Sequence, residues 1–342
     1  MKSPRPACRL LVLLGIGAGV LATPAFADCP EFVGSVDTPG SAGGVAVSGS
    51  YAYVADGTVG GLRVFDVTTP STPVEVGSVD TPGSARRVAV SGDYAYVAEN
   101  TGLRVIDVST PSTPVEVGFV DTMPYAAYNV AVFGSYAFVG DCLGGLRVID
   151  VSTPSAPVEV GFVDTPGCAD GIAISGNYAY VADRVSGLRV IDVSTPSTPV
   201  EVGFIDTPDE AWEIAVSGSY AYVADHYSGV RVIDVSTPST PVEVAFVDTP
   251  GRALGIATSG GYAYVADGAD GGLRVIDVST PSTPVEVGFF DTPNWAEDVT
   301  VAGGYVYLAD LGAGLAVFLE CGLVFTDGFE SGDASAWSAT VP

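Results

Sequence analysis

The chain has 342 residues, 47% of them hydrophobic and only 15% charged, with a formal net charge of −27. Such an acidic surface repels phosphate backbones and anionic headgroups, which argues against nucleic acid and membrane surfaces as partners. His226 is the only histidine, which excludes His-based metal clusters and weighs against a Ser-His-Asp triad.

Residues 1–27 read as a signal peptide. Lys2, Arg5 and Arg9 form a positive n-region, Leu10 to Leu21 an apolar core, and Ala25-Phe26-Ala27 a cleavage site. The apolar run is too short for a comfortable membrane span and no later segment approaches one, so a released, extracytoplasmic protein without membrane insertion is expected. Removing those three cations leaves ten arginines, no lysine and forty carboxylates, a net charge of −30. Cys29, Cys142, Cys168 and Cys321 also remain. An even count in an exported chain favours disulfides over metal thiolates.

After the leader comes FVGSVDT (Phe32 to Thr38), the last part of a unit that then recurs whole. Relatives of YAYVAD begin at Tyr51, Tyr94, Tyr136, Tyr178, Tyr220, Tyr262 and Tyr305, and relatives of GLRVIDV at Gly61, Gly102, Gly145, Gly187, Gly229, Gly272 and Gly314. The period is 41 to 43 residues. Each unit reads as four short strands: A (VAVSG), B (YAYVAD), C (GLRVIDV) and D (PVEVGFVDT), punctuated by Gly, Ser, Pro and Asp. Strands A and B have no polar face, so their sheet must be covered on both sides. Radial stacking of identical four-stranded sheets does this and predicts an all-β, seven-bladed β-propeller over residues 28–321. Thirteen of the sixteen tyrosines fall in strand B and are expected in the core between blades.

Residues 31–37 are a D strand without A, B or C, whereas the last repeat (Val299 to Glu320) has A, B and C without D. Joined, they form the seventh blade, so the N-terminal strand closes the ring. Alignment of the repeats puts Cys321 at the place of Ser279 and Cys29 at that of Thr283, both in the C–D loop that blade seven lacks. A Cys29–Cys321 disulfide is therefore expected. Cys142 and Cys168 stand beside one another's turns on the other face, and a second bridge is expected there.

Six C strands carry arginine (Arg63, Arg104, Arg147, Arg189, Arg231, Arg274) and their D strands glutamate (Glu75, Glu116, Glu159, Glu201, Glu243, Glu286). Blade seven has Ala316 and Phe32 instead. Joint loss of both partners predicts a cross-strand ion pair. Asp66, Asp107, Asp150, Asp192, Asp234 and Asp277 precede intact STPST-type loops, whereas Leu319 precedes the broken one, so these aspartates are expected to cap that loop. Acids ending strand B (Asp56, Glu99, Asp141, Asp183, Asp225, Asp267, Asp310) suit calcium in kind. With no calcium-loop spacing they read as turn caps, and no metal or cofactor is expected.

GLRVIDVSTPSTPVEV together with YAYVAD resembles the LVIVD repeat of exported bacterial and archaeal proteins, over about residues 31–320. The resemblance implies a propeller outside the cytoplasm and brings no settled activity and no catalytic residues to carry over. Residues 322–342 read as an acidic, partly disordered tail.

Comparison of the repeats singles out one face. The A–B and C–D turns hardly vary, whereas the B–C loops and the residues before strand A differ in every blade. That variable face carries Arg86, Arg87, Tyr128, Asn129, Asp170, Glu210, Trp212, Glu213, His226, Tyr227, Arg252, Trp295, Glu297 and Asp298. Aromatic anchors with Arg and carboxylates suit recognition of a peptide or glycan. The expected function is a non-enzymatic, monomeric binding or scaffold module. The alternative is a glycoside hydrolase or lyase using carboxylates of the same mouth.

Overall fold

A computed structural model describes residues 29–322, so the expected signal peptide and most of the expected acidic tail lie outside the described residues. Twenty-eight strands form seven four-stranded antiparallel sheets, six of them built from consecutive strands. In blade two these are Ala85–Ser91 (A), Tyr94–Glu99 (B), Gly102–Asp107 (C) and Val115–Asp121 (D). The seventh sheet has the order Phe32–Val36, Gly314–Leu319, Tyr305–Asp310, Ala296–Ala302, so the N-terminal strand closes the ring as its D strand.

Register shows that this strand is a true equivalent of the others. In blades one to six a bulge shifts the C–D pairing, as where Val64 faces Gly77 and Phe65 faces Glu75. Blade seven repeats it, with Phe318 facing Phe32 and Val317 facing Gly34. The disulfide Cys29–Cys321 stands where a C–D loop stands elsewhere, with Cα atoms 5.7 Å apart. The D-strand glycines explain how close the next blade comes. A Cβ on Gly77, Gly118, Gly161 or Gly203 would strike the carbonyl of Pro111, Pro154, Pro196 or Pro238 in the following C–D loop, and one on Gly288 would strike the carbonyl of Cys29.

The core is divided among the seven seams between blades. At the seam of blades one and two, Tyr53, Leu62 and Val64 pack against Val88, Val97, Ile106 and Val108. Leu103, Ile106, Leu188 and Ile233 have no exposed surface. Each such side chain contributes about 1.5–3 kcal/mol by leaving water. The strand B tyrosines sit in these seams as expected, the inner ones (Tyr53, Tyr96, Tyr180, Tyr222, Tyr264, Tyr307) buried.

All six predicted Arg–Glu pairs form, at 3.1–3.7 Å. Each arginine also reaches the acid ending its own strand B, at 2.6–3.8 Å. Those acids are wholly buried. In blades one, four, five and six their second duty is to hold the turn arriving from the preceding blade. Asp56 accepts from Thr38 Oγ1 at 2.6 Å and from the Gly40 N–H at 2.9 Å, and Asp183 and Asp267 act in the same way. A buried carboxylate matched by a cation and two donors is tolerable where a lone one would not be. The other aspartate series caps the C–D loop as predicted: Asp66 accepts from both the N–H and the hydroxyl of Thr68, which holds its carboxyl below the usual range.

Candidate functional site

The strand order places the B–C loops and the D–A turns on one face. They are sewn to one another around the ring by single bridges: Ala42 with Leu311, Gly57 with Ala85, Cys142 with Ala169, Arg184 with Ala211, His226 with Ala253 and Gly268 with Ala296. One partner in each bridge is an alanine with little or no exposed surface that occurs at this place in every repeat. That alanine is the fixed frame, and its neighbours carry the variation. At the third bridge a disulfide joins Cys142 to Cys168, with Cα atoms 4.0 Å apart.

Two positions beyond the alanine, at the mouth of the central channel, the ring reads Gly44, Arg87, Asn129, Gly171, Glu213, Gly255 and Asp298. The three glycines make room for long charged neighbours. A Cβ on Gly171 would lie 2.5 Å from both Cα and Oε1 of Glu213, and one on Gly44 would lie 2.8 Å from Cα of Arg87. Asn129 Nδ2 donates to Glu213 Oε2 at 2.6 Å, and the Ile214 N–H donates to Oε1 at 3.1 Å. Arg87 lies 3.8 Å from Glu213, 3.8 Å from Glu297 and 3.9 Å from Asp298, and donates to the Gly43 carbonyl. Asp298 accepts from the N–H groups of Val45 and Val299, both at 2.9 Å. One guanidinium thus faces three carboxylates out of water. Burial pushes the Glu213 carboxyl up to about 8, with Arg87 opposing the rise and Asp298 and Asp170 adding to it. Asp298 and Glu297 are raised as well, first by burial.

These buried groups form a floor. Above it a cavity of about 400 Å³ is lined by Arg86, Arg87, Tyr128, Asp170, Arg184, Trp212 and Glu297, with Ser41, Ser84 and Leu311 at its edge. A second hollow of about 300 Å³ shares Trp212, Glu297 and Leu311 with it and adds His226, Arg252, Leu254 and Trp295. Cations and rings alternate along the wall. Arg86 lies 4.2 Å from the Tyr128 ring centre, Arg184 lies 3.5 Å from that of Trp212, and Arg252 sits between Tyr227 (4.8 Å) and Trp295 (5.0 Å). Trp212 stacks on His226 at 5.7 Å, and His226 meets Tyr227 edge-on. The indole N–H of Trp212 and Nε of Arg86 are buried with no acceptor among the described residues.

Of the fourteen residues expected at a binding mouth, the structure brings all to this face but divides them by role. Asn129, Glu213 and Asp298 lie in the floor and spend their polar atoms on the protein. Glu210 meets the site through Arg184, at 3.6 Å. Arg184 was not foreseen, although it stacks on Trp212 and pairs with Asp170 at 2.7 Å. A signal was present in the repeats. The residue after the strand B acid is Gly57 in blade one and Gly268 in blade six, both at positive φ, and blades four and five force Arg184 (φ 45°) and His226 (φ 50°) into that conformation. A non-glycine residue held there costs on the order of 1 kcal/mol, which marks a position kept for its side chain.

The repeat family can now be named from its matches. The LVIVD-repeat family model fits residues 39–81, 82–122, 126–165, 166–207, 208–249, 250–292 and 295–318. The chain belongs to the LVIVD-repeat family. No curated protein matches it in sequence. Among solved structures it is similar to BamB from Moraxella catarrhalis (18% identity, TM-score 0.56, 83% of each chain covered). It is also similar to the periplasmic gluconolactonase PpgL of Pseudomonas aeruginosa (18% identity, TM-score 0.62, 73% of this chain and 86% of that one). A chain of a mitotic checkpoint complex overlays with a TM-score of 0.72 at 13% identity, covering 91% of this chain and 98% of that one. At such identities the likeness is one of fold, which the LVIVD repeats share with propellers of many kinds.

Proposed function

We propose that this LVIVD-repeat propeller is an exported recognition module that binds a peptide or glycan in the hollow of its variable face, without turnover. The observation that carries the reading is the alternation of stacked cations and rings along one wall: Arg86 on Tyr128, Arg184 on Trp212, Arg252 between Tyr227 and Trp295. Seven side chains from six different blades converge there, on a frame of alanines that does not change. Flat, rigid surfaces with hydrogen-bonding rims favour ligands with both apolar faces and polar edges, as sugars and peptide side chains have. The two disulfides support a setting outside the cytoplasm. The glycan-cleaving alternative needs a proton-bearing carboxyl in contact with its substrate. Of the acids that burial raises, Glu213 lines neither hollow, and Asp170 and Glu297, which line the larger one, are paired with Arg184 and Arg87.

The test is a screen of the purified protein against glycan and peptide arrays, with turnover assayed in parallel, followed by Trp212→Ala with Trp295→Ala. Truncating two such anchors is expected to weaken binding at least about 30-fold. Binding that survives the double change, or turnover lost in Glu213→Gln, would overturn the reading.

A further inference from the structure

Blade seven keeps one member of a triad that recurs in the other six blades and replaces the other two. In blades one to six a C-strand guanidinium sits between a wholly buried acid at the end of strand B and a glutamate of strand D. In five of those blades it also lies over a phenylalanine of strand D, 3.6–5.6 Å from the ring centre. Blade seven has Asp310 at the acid position, 1% exposed, but Ala316 where the arginine stands and Phe32 where the glutamate stands. Asp310 still holds the turn from blade six, accepting from the Thr292 hydroxyl at 3.4 Å and the Asn294 N–H at 3.2 Å. Those bonds are longer than the matching ones in blade one, 2.6 and 2.9 Å.

Shortening arginine to alanine opens a cavity of about 300 Å³ between the outer strands of blades six and seven. Asp310 and Ala316 line it together with Phe32, Phe290 and Phe318. The three rings pack on one another with centres 5.0–5.7 Å apart. Phe290 belongs to this arrangement alone, since the same place in blades one to five holds Val79, Val120, Val163, Ile205 and Val247. Asp291 adds a carboxylate at the rim, exposed and 3.9 Å from Arg274. A buried carboxylate beside aromatic rings, opening to solvent, is chemistry that selects an organic cation.

We propose that this cavity binds an arginine side chain presented by a partner polypeptide, which completes in trans the contact that the other six blades make in cis. Those blades show the guanidinium against the same acid and the same turn. The chain has no Lys or Arg after Arg274, and its ten arginines beyond the leader comprise the six in strand C and Arg86, Arg87, Arg184 and Arg252 at the mouth. Free arginine is a poorer fit than a peptide-borne one, because its α-carboxylate would face Asp291 and a chain of net charge −27. The site is separate from the mouth and does not depend on the function proposed for it.

The probe is Nα-acetylarginine methylamide, titrated into the full chain and followed by NMR shifts. Saturable binding is expected, at least about tenfold tighter than for the neutral citrulline analogue and tighter than for free arginine. Asp310→Asn should lower the affinity about tenfold, and Ala316→Arg, which supplies the guanidinium internally, should abolish binding while raising the urea midpoint. Trp212→Ala with Trp295→Ala should leave it unchanged, which separates this site from the mouth. If Ala316→Arg does not fold, Asp310→Asn and Phe32→Ala decide between them. Equal binding of the arginine and citrulline probes, or arginine binding unchanged in Asp310→Asn, overturns the proposal. Preference for the lysine analogue or for free arginine overturns the assignment of the occupant.

Discussion

Replacing Glu213 by glutamine should flatten the dependence of stability on pH between pH 6 and 8. The carboxyl is buried beside a single guanidinium that it shares with Glu297 and Asp298, and burial lifts it from 4.5 to about 8. Because the folded state holds this proton more tightly than the unfolded one, the stabilisation is complete below pH 4.5 and disappears as pH rises through 8. A carboxyl with those two values contributes on the order of 5 kcal/mol at low pH, of which about 2 kcal/mol is lost between pH 6 and 8. Other buried acids, Asp170 and Asp298 among them, are also raised, so both proteins should lose stability as pH climbs. The quantity that matters is the difference in slope. Glutamine cannot titrate, and its mismatch with the Asn129 amide is independent of pH and cancels from that slope. Urea denaturation of the wild type and Glu213→Gln at pH 6, 7 and 8 measures it directly. Parallel lines would refute the reasoning.

Arg274→Ala should cost about 3–5 kcal/mol because it strands the buried Asp267, whereas Glu286→Ala, on the solvent side of the same arginine, should cost under about 1 kcal/mol; urea midpoints separate the two, and equal losses would contradict the structure. Removing Cys142 and Cys168 together opens a loop with a sequence separation of 26 and should cost about 3 kcal/mol. Removing Cys29 and Cys321 opens one of 292 and should cost about 5 kcal/mol as a ceiling, so a reversed order of urea midpoints would discount the chain-entropy account.

The seven blades and the seam between the chain's ends are legible because each depends on local words and their order. The split repeat alone places Phe32–Val36 beside Gly314–Leu319. Both disulfides and the Arg–Glu pairs follow from comparing repeats, since partners appear and vanish together. What stays hidden is contact between blades distant in sequence. Nothing in the words RRV, WEI and EDV says that Arg87, Glu213 and Asp298 meet over the channel, because that meeting depends on ring radius and on three glycines elsewhere in the same circle. The strand B acids show the same limit. They read as turn caps, and most are, but the turn each of these holds belongs to the blade before it, and in blades one to six an arginine on the next strand pairs with the acid. Arg184 was overlooked although glycine stands at its place in blades one and six, because only the backbone shows that this place is held at positive φ.

The Cys29–Cys321 bridge lies among the C–D loops, and the mouth lies among the B–C loops and D–A turns on the opposite side of the disc. Residues 29 and 322, the two ends of the described chain, therefore lie together at the back. A body joined directly at residue 29 or residue 322 would stand behind the propeller, with the Arg–Trp wall on the side away from it. Tension applied between the two ends would run through one covalent link and bypass the hydrogen bonds of all seven blades.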